Sequence, residues 1–443
     1  MARRRRRRLP QEPVEVPVVD LAHDGRGVGR VDDKVTFVHG GLPGERVLAR
    51  LIGRNRRFDE AIALSIESAS EERVEPGCPW FGNCGGCALQ HLDHPAQLAW
   101  KQQRLRENLR RIGNVEPDHW SEPISGPAWH YRRRARLSAR NVPGKGRVLV
   151  GFRELGGRYV AEIENCPVLD PAFSDRLMSL SELIGGLSIP DRIAQIECAA
   201  GDDSAAIVMR HLDPLTDRDR AALVQWSGDT GIAVWLQPGG PDSVHRLCPE
   251  SHRLSYRLPD FDVELAFHPQ QFIQINAEVN RQLTSRAVEW MAPAADERIL
   301  DLFCGLGNFS LPLARSGARV VGMELDEGLV RAAADNAAAN GIESAEFIAA
   351  DLSDPPQGSG WRNAAFDGVL VDPPRTGAAE ILPAAAATGA RRIVYVSCDP
   401  ATLARDAGEL VHGHGFALRR AGIADMFPHT AHVESIALFE RVG

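Results

Sequence analysis

Two residues near the end of the chain are of the kind that perform covalent chemistry. Cys398 lies in Ile393-Val394-Tyr395-Val396-Ser397-Cys398-Asp399-Pro400, and Glu434 in Val433-Glu434-Ser435. The apolar run before Ser397 reads as a buried strand, and the proline stops it, so the thiol stands at a strand end. A thiolate can add to an electron-poor ring carbon and divide one difficult step into easier ones. A carboxylate can then remove a proton as general base. Each residue alone has a plainer reading, a strand-end core thiol and a surface carboxylate. The sequence does not show that they meet. The thiol would also need its pKa lowered, by nearby cations or by substrate contacts.

A second group is Cys78-x5-Cys84-x2-Cys87, with Cys166 far downstream in Asn165-Cys166-Pro167. The basic run Arg3 to Arg8 has no apolar stretch behind it, so it does not read as a secretory leader. No window is long enough for a membrane span. The expected location is the cytosol, where eight cysteines are not a disulfide framework. Closely spaced thiolates there usually hold metal. A structural zinc site normally shows two short pairs of ligands, whereas three clustered cysteines and one distant one are closer to iron–sulfur ligation. A [4Fe–4S] cluster is favoured and zinc stays open. Cys198 and Cys248 have no short-range partner and read as buried packing residues.

A third group follows the strand Ile299 to Phe303. The turn Cys304-Gly305-Leu306-Gly307-Asn308 comes next, then Glu324, Asp351 and Asp372, each at or just past the end of a strand. Polar residues at four strand ends suit an adenosine-containing cofactor, with Glu324 accepting from ribose hydroxyls. A lone G-x-G is weak, and no phosphate-binding lysine follows it, which argues against ATP. S-adenosylmethionine fits better than NAD, since it carries no pyrophosphate. Cys304 reads as packing.

The elements that must position these groups fall into three parts. Residues 10–68 carry short valine-rich strands broken by His23-Asp24-Gly25 and Pro43-Gly44, the spacing of a small barrel. Residues 69–265 form a middle part. In it Pro95 to Ile112 reads as a helix closed by Gly113, with Leu98, Leu105, Leu109 and Ile112 on one face. Lys101, Arg104, Arg106, Arg110 and Arg111 fill the rest. His130 to Leu137 reads as a basic strand whose Tyr131 is either core or a base-stacking ring. Residues 266–443 alternate strand and helix, as in a doubly wound sheet.

Charge supports a polyanionic partner. The net charge is −8, yet residues 1–60 hold 14 Lys/Arg against 9 Asp/Glu, and residues 101–158 hold 14 against 5. Arg54, Arg56 and Arg57 beside Phe58 suit single-stranded RNA, where phosphates pair and bases stack. The arginine run, residues 1–9, reads as a disordered arm adding phosphate affinity without selectivity.

Carbon 5 of uracil is too weak a nucleophile to accept a methyl group directly. A thiolate on carbon 6 turns the ring into an enolate that can attack a sulfonium methyl; a base then takes the C5 proton and the thiol leaves. One thiol and one carboxylate suffice. With these motifs the chain resembles the RNA (uracil-5-)-methyltransferases, in particular the iron–sulfur branch acting on 23S ribosomal RNA. Ser397 through Asp406 matches the nucleophile motif, and Asp425-Met426-Phe427-Pro428-His429-Thr430 through Glu434 the closing motif with its base. Gly40-Gly41-Leu42-Pro43-Gly44-Glu45 looks like the TRAM domain, an OB-like RNA-binding barrel.

The resemblance implies a multidomain α/β protein. Its parts are a TRAM barrel, a central α+β domain with the iron–sulfur site, and a C-terminal doubly wound Rossmann-like methyltransferase domain. It implies Cys398 as nucleophile and Glu434 as base. S-adenosylmethionine would be bound by Gln274, Phe303, Asn308, Glu324, Asp351 and Asp372, with Gln274 near the methionine end. Cys78, Cys84, Cys87 and Cys166 would be the cluster ligands. The implied partner is 23S ribosomal RNA, with no membrane and a monomeric state. Departures are Asp399 where the family often has Asn, Pro374 where Ala is common, and Asp351 in place of an amide. Asp399 could alter the charge beside the thiol.

Transfer RNA is the rival substrate. A cytidine-C5 enzyme is disfavoured because Asp372, not a cysteine, precedes Pro373. An amino-group methyltransferase is disfavoured because Arg375 follows the prolines in place of an aromatic residue. A non-catalytic iron–sulfur RNA-binding protein would be expected to show decayed motifs, and these are whole.

Overall fold

A computed structural model describes residues 12–352 and 364–443. The Arg3 to Arg8 run lies outside them. The chain divides into two compact units. One comprises Met1–Trp100, Phe152–Ala161 and Pro428–His432; the other comprises Lys101–Gly151, Glu162–Phe427 and Val433–Gly443. Among the described residues no helix is long and apolar enough to cross a membrane.

The first unit contains a closed barrel of β1 (Val14–Leu21), β2 (Gly27–Val31), β3 (Lys34–His39), β4 (Arg46–Arg54) and β5 (Phe58–Ser68), in the order β1-β2-β3-β5-β4. Alternate residues point inward, and Val16, Val18, Val38, Val47, Ala49, Leu51 and Ala61 fill the core. The Gly40–Glu45 turn is pinned by Glu45, which is buried. Its carboxylate accepts from the Leu42 N–H at 2.8 Å and from Arg73 Nη2 at 2.7 Å. Arg54, Arg56 and Arg57 are exposed at the β4–β5 turn. Half-buried Phe58 stacks edge-on against Phe37 at 5.4 Å.

The second unit holds two large sheets. Its helices are the later part of α1 (His94–Asn108), then α2 (Pro171–Ser174), α3 (Leu177–Gly185), α4 (Asp217–Thr230), α5 (Ala277–Met291), α6 (Ser310–Arg315), α7 (Glu327–Ala339), α8 (Leu382–Ala387) and α9 (Pro400–His414). Its first strands are β6 (His119–Trp120), β7 (Arg134–Val142), β8 (Arg147–Gly151), β9 (Ile193–Ala200), β10 (Ala205–His211), β11 (Ala233–Gln237) and β12 (His245–Cys248). All but β6 form a six-stranded sheet in the order β12-β11-β10-β9-β7-β8. A hairpin of β13 (Leu254–Leu258) and β14 (Val263–Phe267) follows.

The remaining strands are β15 (Arg298–Leu302), β16 (Arg319–Glu324), β17 (Ala345–Ala349), β18 (Gly368–Val371), β19 (Arg392–Ser397), β20 (Phe416–Ala424) and β21 (Glu434–Arg441). They build an eight-stranded sheet in the order β17-β16-β15-β18-β19-β21-β20-β6. β15 through β19 pair in parallel, and β21 runs antiparallel to β19 and β20. Gly368-Val369-Leu370-Val371 is wholly buried, as expected for a parallel strand covered on both faces.

Three expectations of the middle part change. The helix gives way at Asn108 to a wider turn, Leu109–Gly113, closed by Asn114 at φ 50°. Gly113 is therefore not the cap. A Cβ there would stand 2.3 Å from the Ala404 carbonyl oxygen, so the glycine serves close approach to α9. Ile112 is left exposed, off the apolar face. The basic strand begins at Arg134, because His130 at φ 56° breaks the extended run, and Tyr131 is buried, which favours its core reading.

Lys101 is not on a solvated face. It is fully buried, and its ammonium donates to Asp425 Oδ1 at 2.6 Å and to the Phe427 carbonyl at 3.0 Å. Removing one member of a buried pair leaves a desolvated charge, which typically costs about 3 kcal/mol or more. Lys101→Met should lower the urea-unfolding free energy by about that amount. Adding Asp425→Asn should recover part of the loss, as a double-mutant cycle in urea would show.

Candidate active site

Strand register brings the two reactive side chains together. β19 and β21 pair antiparallel up to Ser397↔Ser435, so the next position sets Cys398 across from Glu434. Facing residues of such a pair have Cβ atoms about 4.5–5.5 Å apart. The Ser435 hydroxyl donates to the Ser397 carbonyl at 3.2 Å and fixes that last rung. On the other side of β19, Val371 of β18 pairs with Tyr395, which brings Asp372 off the sheet beside the same strand end. α9 begins directly after Cys398. Asp399 is its N-cap, accepting from the Ala401 and Thr402 N–H groups at 2.8 and 3.2 Å. The acidic departure at this position thus faces a helix N-terminus, where negative charge is favoured.

The electrostatics oppose an ionised thiol. Burial pushes Cys398 up to about 11, the charges of Glu434 and Asp372 push the same way, and Arg375 opposes them. Glu434 is almost wholly buried. Burial first, and then Asp372, raise it well above the carboxylate range, again against Arg375. Asp372 is raised to about 7 by burial and by Asp301. The lowering of the thiol pKa that catalysis would need is therefore left to substrate contacts and to Arg375, the cation acting on both groups.

Of the residues expected to bind the cofactor, Phe303, Glu324, Asp351 and Asp372 lie at or just past strand ends. Phe303, just past β15, adopts φ 66°, a conformation that costs a non-glycine residue about 1–3 kcal/mol and tends to mark functional turns. Glu324 ends β16. Its carboxylate accepts from the N–H groups of Gly305 at 3.3 Å, Leu325 at 2.8 Å and Asp326 at 3.2 Å, tying the glycine turn to the next strand. Asn308 binds inward. Its amide bonds to Asn280 in both directions, 2.9 and 3.1 Å, and accepts from the Tyr256 hydroxyl at 3.0 Å. It orients the turn. Asp351 is exposed two residues beyond β17, and Gln274 is half-buried between Ile273 and Ile275, both buried. Cys304 packs under the turn, where a Cβ on Gly322 would stand 3.0 Å from its sulfur.

Cys78, Cys84 and Cys87 are half-buried; Cys166, Cys198 and Cys248 are buried. Successive turns carry the first three: Phe81 N–H bonds the Cys78 carbonyl at 3.1 Å, and Cys84 N–H bonds the Trp80 carbonyl at 2.9 Å. Burial raises the pKa of Cys78 and Cys84, and charge at Cys78 raises Cys84 further, so these two sulfurs are neighbours. The donors are of the right kind for iron, yet among the described residues no group of three or more His, Cys, Asp or Glu side chains gathers as it would around a metal ion.

Residues 250–442 match the family described as tRNA (Uracil-5-)-methyltransferase, and residues 7–64 match the TRAM domain. Over 441 residues the chain is 51% identical to the 23S rRNA (uracil(1939)-C(5))-methyltransferase RlmD of Alkalilimnicola ehrlichii, with 99% of each chain covered. The chain belongs to the RNA (uracil-5-)-methyltransferase family. Another family member similar to it, 48% identical with the same coverage, is the protein of that name from Stenotrophomonas maltophilia. Among solved structures of the family, the Pyrococcus abyssi tRNA (uracil-54, C5)-methyltransferase in complex with S-adenosyl-L-homocysteine is similar at TM-score 0.74. That likeness has 25% identity and covers 96% of this chain and all of the other.

Sequence reasoning left two site residues without a role. Arg375 entered only as an argument against amino-group chemistry, although a lone cation three residues after Asp372 is a signal in itself. Asp301 was read as part of a strand and of the nucleotide-binding signature that begins there, with no role of its own. It is fully buried; Ser310 Oγ donates to its Oδ2, while Oδ1 has no hydrogen-bond partner among the described residues. Burial lifts it to about 7, with Glu324 adding to the rise and Ser310 opposing. A carboxyl group raised on folding contributes stability that is whole below its unfolded value of 3.8 and lost as pH climbs through about 7. Asp301→Asn should not suffer this loss. Its melting temperature should gain on the parent's between about pH 5 and pH 8, measured by scanning calorimetry.

Proposed function

We propose that the chain transfers a methyl group from S-adenosylmethionine to carbon 5 of a uridine in 23S ribosomal RNA, with Cys398 as nucleophile and Glu434 as base. The reading of the chemistry rests on the β19–β21 register that sets these residues opposite one another. The substrate class rests on full-length similarity, near half identity, to relatives named as 23S rRNA enzymes. S-adenosylmethionine, when bound, supplies an electrophilic methyl group and a positive charge.

The chain's own residues supply the rest. Cys398 loses its proton and its sulfur bonds to C6 of the uracil ring, and the C5–C6 π electrons move to form an enolate. C5 would then take the methyl group as the methyl carbon's bond to the sulfonium sulfur breaks, that electron pair staying on the departing sulfur. Glu434, as carboxylate, removes the proton from C5, and the electron pair of that C–H bond expels the thiolate and restores the ring. Both groups act in their ionised forms, which burial in the free protein opposes. Positive charge arriving beside them favours those forms. Arg375 already does so for both. Phe303, Asn308, Glu324, Asp351, Asp372 and Gln274 are proposed to hold the cofactor at the strand ends. Exposed Arg54, Arg56 and Arg57 on the barrel would pair with RNA phosphates. Action on ribosomal RNA accords with a cytoplasmic protein, proposed to be a monomer.

An RNA bearing 5-fluorouridine at the target tests this chemistry. Fluorine cannot leave as a proton, so the wild-type enzyme should form an adduct that survives denaturation. Cys398→Ala should form none. On ordinary RNA, Glu434→Gln should methylate but stall before release, leaving the same kind of adduct. The proposal fails if wild-type protein, with RNA and cofactor bound, yields no adduct. Mapping 5-methyluridine in ribosomal and transfer RNA from a deletion strain decides the substrate.

On spacing and thiol chemistry alone, Cys78, Cys84, Cys87 and Cys166 are proposed as ligands of a [4Fe–4S] cluster that takes no part in methyl transfer. Anaerobically purified protein should contain about four irons and four sulfides per chain. Cys84→Ser should lose most of both. A single zinc in their place would refute the assignment.

A further inference from the structure

The segment after Asp372 is clamped to the helix that follows the nucleophile. Pro374 to Gly377 form a tight turn, closed by the Gly377 N–H on the Pro374 carbonyl at 2.9 Å, with Arg375 at its first corner. α9 grips the end of that turn through two adjacent residues. Arg405 Nη2 donates to the Thr376 carbonyl at 3.0 Å. Asp406 Oδ2 accepts from the Ala378 N–H at 2.8 Å and from the Tyr395 hydroxyl at 2.6 Å, while its Oδ1 accepts from Arg405 Nε at 2.7 Å. Asp406 and Tyr395 are completely buried.

Gly377 has φ +82°, and a Cβ there would lie 2.4 Å from Arg405 Nη2 and 2.7 Å from Asp406 Oδ2. Only a glycine lets the turn seat so closely. A buried carboxylate that binds a neighbouring strand, a loop and a cation at once is costly unless each partner stays in place, so it fixes their mutual geometry. None of these contacts is needed to build the sheet. What they fix is the root of Arg375 relative to Cys398, which precedes the same helix.

We propose that Asp406 and Arg405 are positioning residues for Arg375, clamping its turn onto α9 so that the guanidinium offsets the negative charge around Cys398 and Glu434. The inference rests on the reading of Cys398 as the nucleophile. The groups acting on the thiol are Glu434 from β21, Asp372 from the end of β18 and Arg375 from the turn. Asp399 adjoins the thiol in sequence, and Asp301 acts on Asp372. Arg375 is the cation in this set, and it is exposed, so its effect is partly screened and depends on its being held.

The test is the rate at which iodoacetamide alkylates Cys398 in the full-length protein without RNA, followed by peptide mass spectrometry from about pH 7 to pH 9. Below the thiol pKa this rate follows the thiolate fraction. Arg375→Gln should slow alkylation by about threefold at every pH, a part of the tenfold that one pKa unit would give. Asp406→Asn should slow it similarly, and adding it to Arg375→Gln should slow it no further. A rate equal to or above the parent's in folded Asp406→Asn, or full additivity in the double variant, overturns the proposal. Should Asp406→Asn not fold, Arg405→Gln, at a side chain 46% exposed, carries the same comparison with the same outcomes. The assay involves no methyl transfer. Its failure is therefore separate from failure of the fluorouridine adduct, which tests the nucleophile itself.

Discussion

The pairing of the last strand with β19 is the constraint on which the site depends. Side chains alternate across a strand, so a slip of one residue in this register would turn Glu434 to the opposite face and leave Cys398 facing a serine. The slip is resisted from both sides. β21 lies between β19 and β20 and is bonded to each, and its first six residues are all buried. Shifting them would move a whole hydrophobic face, so the relation between thiol and carboxylate is enforced by the core of the sheet.

That placement has an electrostatic consequence. Cys398 and Glu434 feel the charge of Asp372, Asp372 feels that of Asp301, and exposed Arg375 is the opposing cation. Neighbouring negative charges in a buried setting disfavour one another, so each of these groups is shifted toward its protonated form. A thiol with a high pKa is a poor nucleophile and also a poor target for oxidants and metals. Asp399 does not disturb this balance in an obvious way, because its carboxylate is engaged at the start of α9.

Much of this was legible in the sequence, because the signals were local. The parallel strands announced themselves as short apolar runs, and each ended at the polar residue expected of a ligand-binding edge, Glu324 after β16 and Asp372 after β18. The barrel was legible from its valine alternation and turn residues. What escaped was what depends on distant partners. Lys101 read as one more cation on a basic helix because its partner, Asp425, lies 324 residues away. Gly113 resembled a helix cap because nothing local announces the Ala404 carbonyl above it. The partners of the Asn308 amide, Asn280 and Tyr256, belong to other elements and could not be read beside it. The direction of the Cys398 pKa shift could not be read locally either, since it is set by burial and by two carboxylates distant in sequence.

The far edge of the large sheet is closed by β6. These two residues run parallel to β20, Arg420↔His119 and Ala421↔Trp120, and Ile124 continues the match with a bridge to Ala424. A stretch from the first third of the chain is thus sewn into the sheet that the last third builds. A genetic exchange that transplanted only the stretch from residue 266 onward would carry a raw strand edge to its new host, open to pairing with other chains. In evolution this methyl-transferring body can travel intact only if the recombination point falls far upstream, before the helix that holds Lys101.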